Sequence, residues 1–238
     1  MTDHIVEATR DGFGEALLEL AKADDRIVGL CADLTDSTRM TAFAKQFPDR
    51  FWNVGIAEQN MVGVSVGLAM EGYIPFAATY GVFLGRAWDH IRVSVCINNA
   101  NVKLVGTHGG VTAGADGATA QALEDIAMLR ALPNLTIVCP CDAIEAKKAT
   151  FALATMTGPA YLRLSREPSP TITSQHSPFM LGRAEPMHEG SDVTVIACGI
   201  MVEKALEAAR QLAKEKITVR VLNMHTIKPI DKQSISDA

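Results

Sequence analysis

The chain has 238 residues, 48% of them hydrophobic, which is enough for one large core or two modest ones. Its net charge of -5 comes with no basic block, which argues against nucleic acid or an anionic membrane as a partner. No apolar run is long enough to span a bilayer, and Met1-Thr2-Asp3-His4 has no signal-peptide pattern, so the expected location is cytoplasmic.

In chain order, residues 14–23 read as an amphipathic helix and 27–31 as a strand. Phe51-Trp52-Asn53-Val54 reads as a short strand. From Met61 to Met70 the sequence is apolar on nearly every side, the pattern of a buried helix. Glu58 lies at the mouth of that helix, in Gly55-Ile56-Ala57-Glu58-Gln59-Asn60. A carboxylate there costs free energy unless something binds it. The plainer reading is a first-turn acid that complements the helix dipole.

Further strands are expected at 73–79, 102–107, 135–138 and 161–164, with helices at 87–98, 122–132 and 143–156. Near-continuous apolar strands separated by helices predict an α/β fold, a parallel sheet flanked by helices. Such sheets bind ligands beyond the carboxyl ends of their strands. Asp33, Glu58, Tyr80, His108 and Arg166 all follow strands in this way. The loop from Thr107 to Thr119 is glycine-rich, which suits either close backbone approach to a ligand or a flexible surface loop.

Residues 168–192 carry Pro168, Pro170, Pro178 and Pro186 among serines and threonines and read as a linker between a domain at 1–167 and a second unit at 193–238. The second unit is one strand–helix–strand motif, too small to be stable alone, so it is expected to be cut short or to lean on a partner. Of the five cysteines, Cys139 and Cys141 have the wrong spacing for a zinc or redox pair, and all five read as reduced thiols. No metal-ligand set is read in the chain.

The Glu58 segment, the run from Tyr80 to Asp89 and the glycine-rich loop together resemble the transketolase family of thiamine-diphosphate enzymes, from about Thr9 to the end of the chain. The resemblance implies a pyrimidine-binding domain followed by the start of the family's C-terminal domain, as in the C-terminal subunit of a split transketolase. The family binds the diphosphate and Mg²⁺ through Gly-Asp-Gly and a later Asn. Gly114-Ala115-Asp116-Gly117 is only a near miss. The resemblance therefore implies half an active site here. An N-terminal transketolase subunit would hold most of the cofactor's diphosphate and Mg²⁺, in a homodimer within a heterotetramer.

By the resemblance, Glu58 is the catalytic glutamate that bonds N1′ of the aminopyrimidine, and Phe83 stacks on that ring. Asp33 lies near the thiazolium, with a turn or helix N-cap as its plainer role. Tyr80 and Arg86 match positions near the substrate in related deoxyxylulose-phosphate synthases and complete the cofactor-binding set. Arg10, Ser37, His108 and Arg166 match residues that hold a sugar phosphate, and Asp116 matches one that reads a donor hydroxyl. The family usually has His where this chain has Ala120, which puts the standard ketose donor in question.

The implied activity is transfer of a two-carbon ketol unit between sugar phosphates. Two alternatives stay open: a deoxyxylulose-phosphate-synthase-like or other ketoacid-using half enzyme, and a non-catalytic partner subunit.

Overall fold

The computed structural model describes residues 5–238. Its strands, in chain order, are β1 (Val6–Glu7), β2 (Ile27–Cys31), β3 (Phe51–Asn53), β4 (Ile74–Tyr80), β5 (Lys103–Thr107), β6 (Thr136–Val138), β7 (Ala160–Arg163), β8 (Ser169–Pro170), β9 (Glu185–His188), β10 (Val193–Ala197), β11 (Val219–Asn223) and β12 (Thr226–Lys228). Seven of them form one sheet in the order β12-β6-β7-β5-β4-β2-β3. All neighbours run parallel except β12, which pairs with β6 antiparallel at the edge.

β2 and β5 are buried at every position. This is why they read as unbroken apolar runs: both faces are covered. Alternate residues serve opposite faces. Ile27 and Cys31 join Phe13, Leu17, Phe76 and Leu153 under the helices Thr9–Ala23 and Ala143–Thr155. Val28 and Leu30 join Met61, Val62, Leu104 and Tyr161 under the helix Glu58–Met70. The first two helices touch at Gly12, where a Cβ would lie 2.0 Å from the Ala143 carbonyl oxygen, so any side chain there would force them apart.

The segment 168–192 is more built-in than its composition suggests. β8 pairs with β1, and β9 pairs with β11. Asp142 caps the helix Ala143–Thr155 by accepting from the Glu145 N–H at 2.8 Å, and its other oxygen accepts from Ile172 and Thr173 at 2.8 and 2.6 Å. The prolines are tolerated because Pro170 and Pro186 sit in edge strands.

The last unit is a three-stranded sheet, β10-β11-β9, with the helix Met201–Leu212 on it and a small core of Val202, Ala205, Ala209, Val219 and Val221. It leans on the first domain of its own chain, through β12 in the large sheet and through Asn223, which donates to Glu145 at 2.7 Å. All five cysteines are free; four are buried and Cys198 is half-buried.

Candidate active site

The carboxyl ends of β2, β3, β4, β5 and β7 lie along one edge of the sheet, so the residues that follow them are brought together. Glu58 opens its helix with only 2% of its surface exposed. It does not cap that helix: the N-cap is Ala57, which makes no side-chain capping bond. One Glu58 oxygen, Oε2, is buried and has no hydrogen-bond partner. The nearest cation is Arg86, whose Nε lies 3.2 Å from that oxygen. Both residues border a pocket of about 500 Å³ with Ile56, Ala57, Gln59 and Asn60.

An aromatic stack at the end of β4 adjoins a charged cluster. The half-buried Tyr80 ring lies 5.2 Å from Phe83, nearly parallel at 10°, and 3.6 Å from the His108 ring at 20°. His108 is buried and in the left-handed region at φ 60°, a conformation that costs a non-glycine residue energy and is found where function demands it. Its Nδ1 pairs with the Thr107 hydroxyl at 2.9 Å, and its Nε2 faces Asp116 at 3.5 Å. Burial pushes His108 down to about 4, with the Arg10 charge adding to the effect and Asp116 opposing it. The ring is therefore neutral at pH 7.

Asp116 also lies 3.6 Å from Arg166, which donates to the Ala113 carbonyl at 2.6 Å. Arg10 donates to the Ser37 backbone carbonyl at 2.9 Å, so Ser37 enters the site by its main chain here. Burial lowers Arg10 from its usual value, and Arg39 repels it further. The Arg10 Nε is buried without an acceptor. An orphaned guanidinium N–H among cations is suited to an anion.

Asp33 is exposed, in the left-handed region at φ 58°, and held by Asn53. The Asn53 side-chain oxygen accepts from the Asp33 N–H at 3.0 Å, and its amide donates to the Asp33 carboxylate at 3.3 Å. No helix starts at Asp33; the next begins at Thr41. Asp33 is a turn residue whose carboxylate is presented at the sheet edge.

Sequence reasoning missed Asn53, Arg39 and the support beneath the loop. The Thr9 hydroxyl accepts from the Ser165 N–H at 2.7 Å and so aligns Arg10 with Arg166. Buried Asp125 accepts from Tyr161 and from Arg163, each at 2.7 Å, and Arg163 also holds the Ala122 carbonyl at 3.0 Å. The usable signal was an Asp and an Arg at positions otherwise reading as core. Among the described residues no cluster of His, Cys, Asp or Glu is arranged to hold a metal, and no helix is long and apolar enough to cross a membrane.

The transketolase pyrimidine-binding domain family matches residues 7–171, and the transketolase C-terminal domain family matches residues 182–238. A 6-deoxy-6-sulfo-D-fructose transketolase subunit, SqwH, of Clostridium sp. (strain MSTE9) is 42% identical over 95% of this chain and 70% of its own length. Human transketolase is 42% identical over 97% of this chain but only 37% of its own length. A solved structure described as a split gene transketolase, inactive beta4 tetramer, superposes with a TM-score of 0.89 at 45% identity, covering 97% of this chain and 75% of that one. With a parallel sheet flanked by helices, and with Glu58 and the Tyr80–Phe83 pair at the carboxyl edge, the chain belongs to the transketolase family and carries its pyrimidine-binding domain followed by C-terminal-domain sequence.

Proposed function

We propose that this chain is the C-terminal subunit of a split, thiamine-diphosphate-dependent transketolase. It would work in the cytoplasm with an N-terminal subunit and move a two-carbon ketol unit from a ketose phosphate to an aldose phosphate. The observation that carries this reading is Glu58: a buried carboxylate with one unpartnered oxygen, bordering a pocket.

The residues present fit an aminopyrimidine. Glu58 would hold a proton at N1′ of that ring, and the low exposure of the carboxylate would keep water from competing for it. Phe83 offers a face for stacking, and Tyr80 holds Phe83 and His108 in register. When bound, the cofactor supplies a nucleophilic thiazolium carbon. Asp33 would stand near the thiazolium.

On the substrate side, Arg10, Arg166 and the neutral His108 would bind and orient a sugar phosphate. Arg10 suits the anion because its Nε lacks an acceptor. Asp116, between His108 and Arg166, would accept from a donor hydroxyl. Mg²⁺ and the diphosphate would be held mainly by the N-terminal subunit, in a heterotetramer built on a homodimer of this chain. The split-gene relative, described as an inactive beta4 tetramer, supports a partner subunit and oligomerisation.

A second reading concerns the donor. Ala120 replaces the family's usual His, and a relative of equal identity to the human enzyme is named for a sulfonated ketose. A sulfonate would engage the same arginines as a phosphate.

The test is a mixing experiment. The chain alone is expected to show no ketol transfer, and the chain with its N-terminal partner, thiamine diphosphate and Mg²⁺ is expected to turn over. Full turnover by the isolated chain would overthrow the split-subunit reading, and release of CO₂ from pyruvate would favour ketoacid chemistry.

A further inference from the structure

We propose that Arg86 is a placeholder at Glu58: in the cofactor-free chain its guanidinium supplies the positive charge the buried carboxylate needs, and the aminopyrimidine takes that place on binding. The inference rests on the thiamine reading above and adds a role for Arg86 in setting cofactor affinity.

The contact is asymmetric. The Glu58 side chain is 3% exposed, whereas that of Arg86 is 63% exposed. The carboxylate is fixed at the start of a helix packed on the sheet. The guanidinium rides on a short turn, Gly85–Ala87, at the pocket rim, and Gly85 has nothing within 4 Å of where a Cβ would stand. One partner cannot leave and the other can swing into water.

The contact is also poorly directed. Arg86 Nε and Glu58 Oε2 are 3.2 Å apart, yet that oxygen makes no hydrogen bond of acceptable geometry. The pair is held by charge alone. A donor that approaches along the lone pair would bind better than the arginine does.

A thermodynamic consequence follows. Deleting the guanidinium raises the free energy of the cofactor-free state, because a buried carboxylate loses the one cation paired with it among the described residues. The cofactor-bound state keeps its donor at N1′ and loses less. Arg86→Met should therefore tighten cofactor binding while destabilising the free chain. With one partner well exposed, the expected gain is about two- to fivefold in Kd. Were Arg86 instead a cofactor ligand, the same variant would bind more weakly.

The experiment compares wild type, R86M, R86Q and R86K, each assembled with the N-terminal subunit. Calorimetry gives the Kd for thiamine diphosphate with Mg²⁺, and thermal unfolding gives the stability of each chain without cofactor. R86M and R86Q are expected to bind about two- to fivefold more tightly and to unfold at lower temperature without cofactor. R86K, which keeps the charge, is expected to lie near wild type in both measurements. Unchanged or weaker binding by R86M and R86Q, with wild type still binding, would overturn the placeholder and leave the thiamine reading standing. Binding by none of the four, wild type included, would overturn both.

Discussion

Glu58 and Ala120 carry the sharpest residue-scale expectations. Glu58→Gln keeps the shape of the side chain but cannot share a proton at N1′. In the assembled enzyme it should lower kcat on the order of 10²–10⁴-fold with far-UV circular dichroism unchanged. Activity within about threefold of wild type, well short of that range, would reduce Glu58 to a helix-end carboxylate. Ala120 is buried in the short turn Ala118–Ala120, 5% exposed, on the loop that carries Asp116. Xylulose 5-phosphate should be a weak donor for wild type, and Ala120→His should improve kcat/KM for it. One neutral hydrogen bond is worth about 0.5–1.5 kcal/mol, or up to about tenfold. If wild type already uses that donor efficiently and the variant gains nothing, Ala120 has no part in donor choice. The arrangement of the matched residues was only partly legible in the sequence. Glu58 stood out because a carboxylate stands at the mouth of an apolar helix. Asn53 did not, because nothing in a short exposed strand marks an amide that must hold Asp33 at the end of the neighbouring strand. The entry of Ser37 through its carbonyl was equally hidden, since main-chain contacts carry no side-chain signature.

At the scale of elements, the helix Glu58–Met70 is the unusual piece. Its sequence is apolar nearly all round, yet Gly63, Gly67 and Met70 are exposed, and a Cβ on either glycine would meet nothing within 4 Å. The two glycines therefore do not serve close packing inside this chain. Four residues apart, they share one face and would let another backbone approach. That face is expected to lie near a subunit contact in an assembly with two-fold symmetry. Gly63→Ala should raise the stability of the isolated chain by up to about 1 kcal/mol, since alanine is the better helix former. The same change should weaken assembly by holding the second backbone away. Light scattering on both proteins, with the N-terminal subunit and cofactor present, checks this. A stable monomer for wild type, or an unaltered assembly for the variant, would count against the contact. Most elements were readable because apolar runs and breaker residues mark buried strands. The sequence over 87–98 reads as one helix, but the chain passes from a short turn through one α-helical turn, Trp88–His90, into a π-helical stretch, Ile91–Ile97, that periodicity does not anticipate. Residues 168–192 were misleading because proline density looks the same in a loose linker and in edge strands.

At the scale of the whole molecule, the joint between the two units is built on a buried carboxyl group. Glu145 accepts from the Cys141 N–H and from Asn223, each at 2.7 Å. Burial pushes it up to about 7, with the Asp142 charge adding and the hydrogen bonds from Cys141 and Asn223 opposing. Its folded value thus lies above its ordinary 4.5. The stability it contributes is fully present below pH 4.5 and is lost as pH rises through about 7. His225 in the same region works in the other direction. Burial lowers it to about 4 from 6.5, so its contribution is present above pH 6.5 and is lost as pH falls through about 4. The joint should therefore loosen on the alkaline side because of Glu145 and on the acid side because of His225. Glu145→Gln isolates the first effect. Its single oxygen can still accept from Cys141. Its amide can donate to the Asn223 carbonyl oxygen, which is now buried without a partner and needs only a flip of that side chain to turn inward. The variant should match wild type near pH 4.5, where Glu145 is protonated. Near pH 8 it should be more stable by on the order of 2–3 kcal/mol, the upper end of what a shift of this size allows. Thermal unfolding at the two pH values reads the difference directly. If Glu145→Gln is destabilised equally at both, the carboxyl group is already satisfied as an anion, and the alkaline weakness of the joint lies elsewhere.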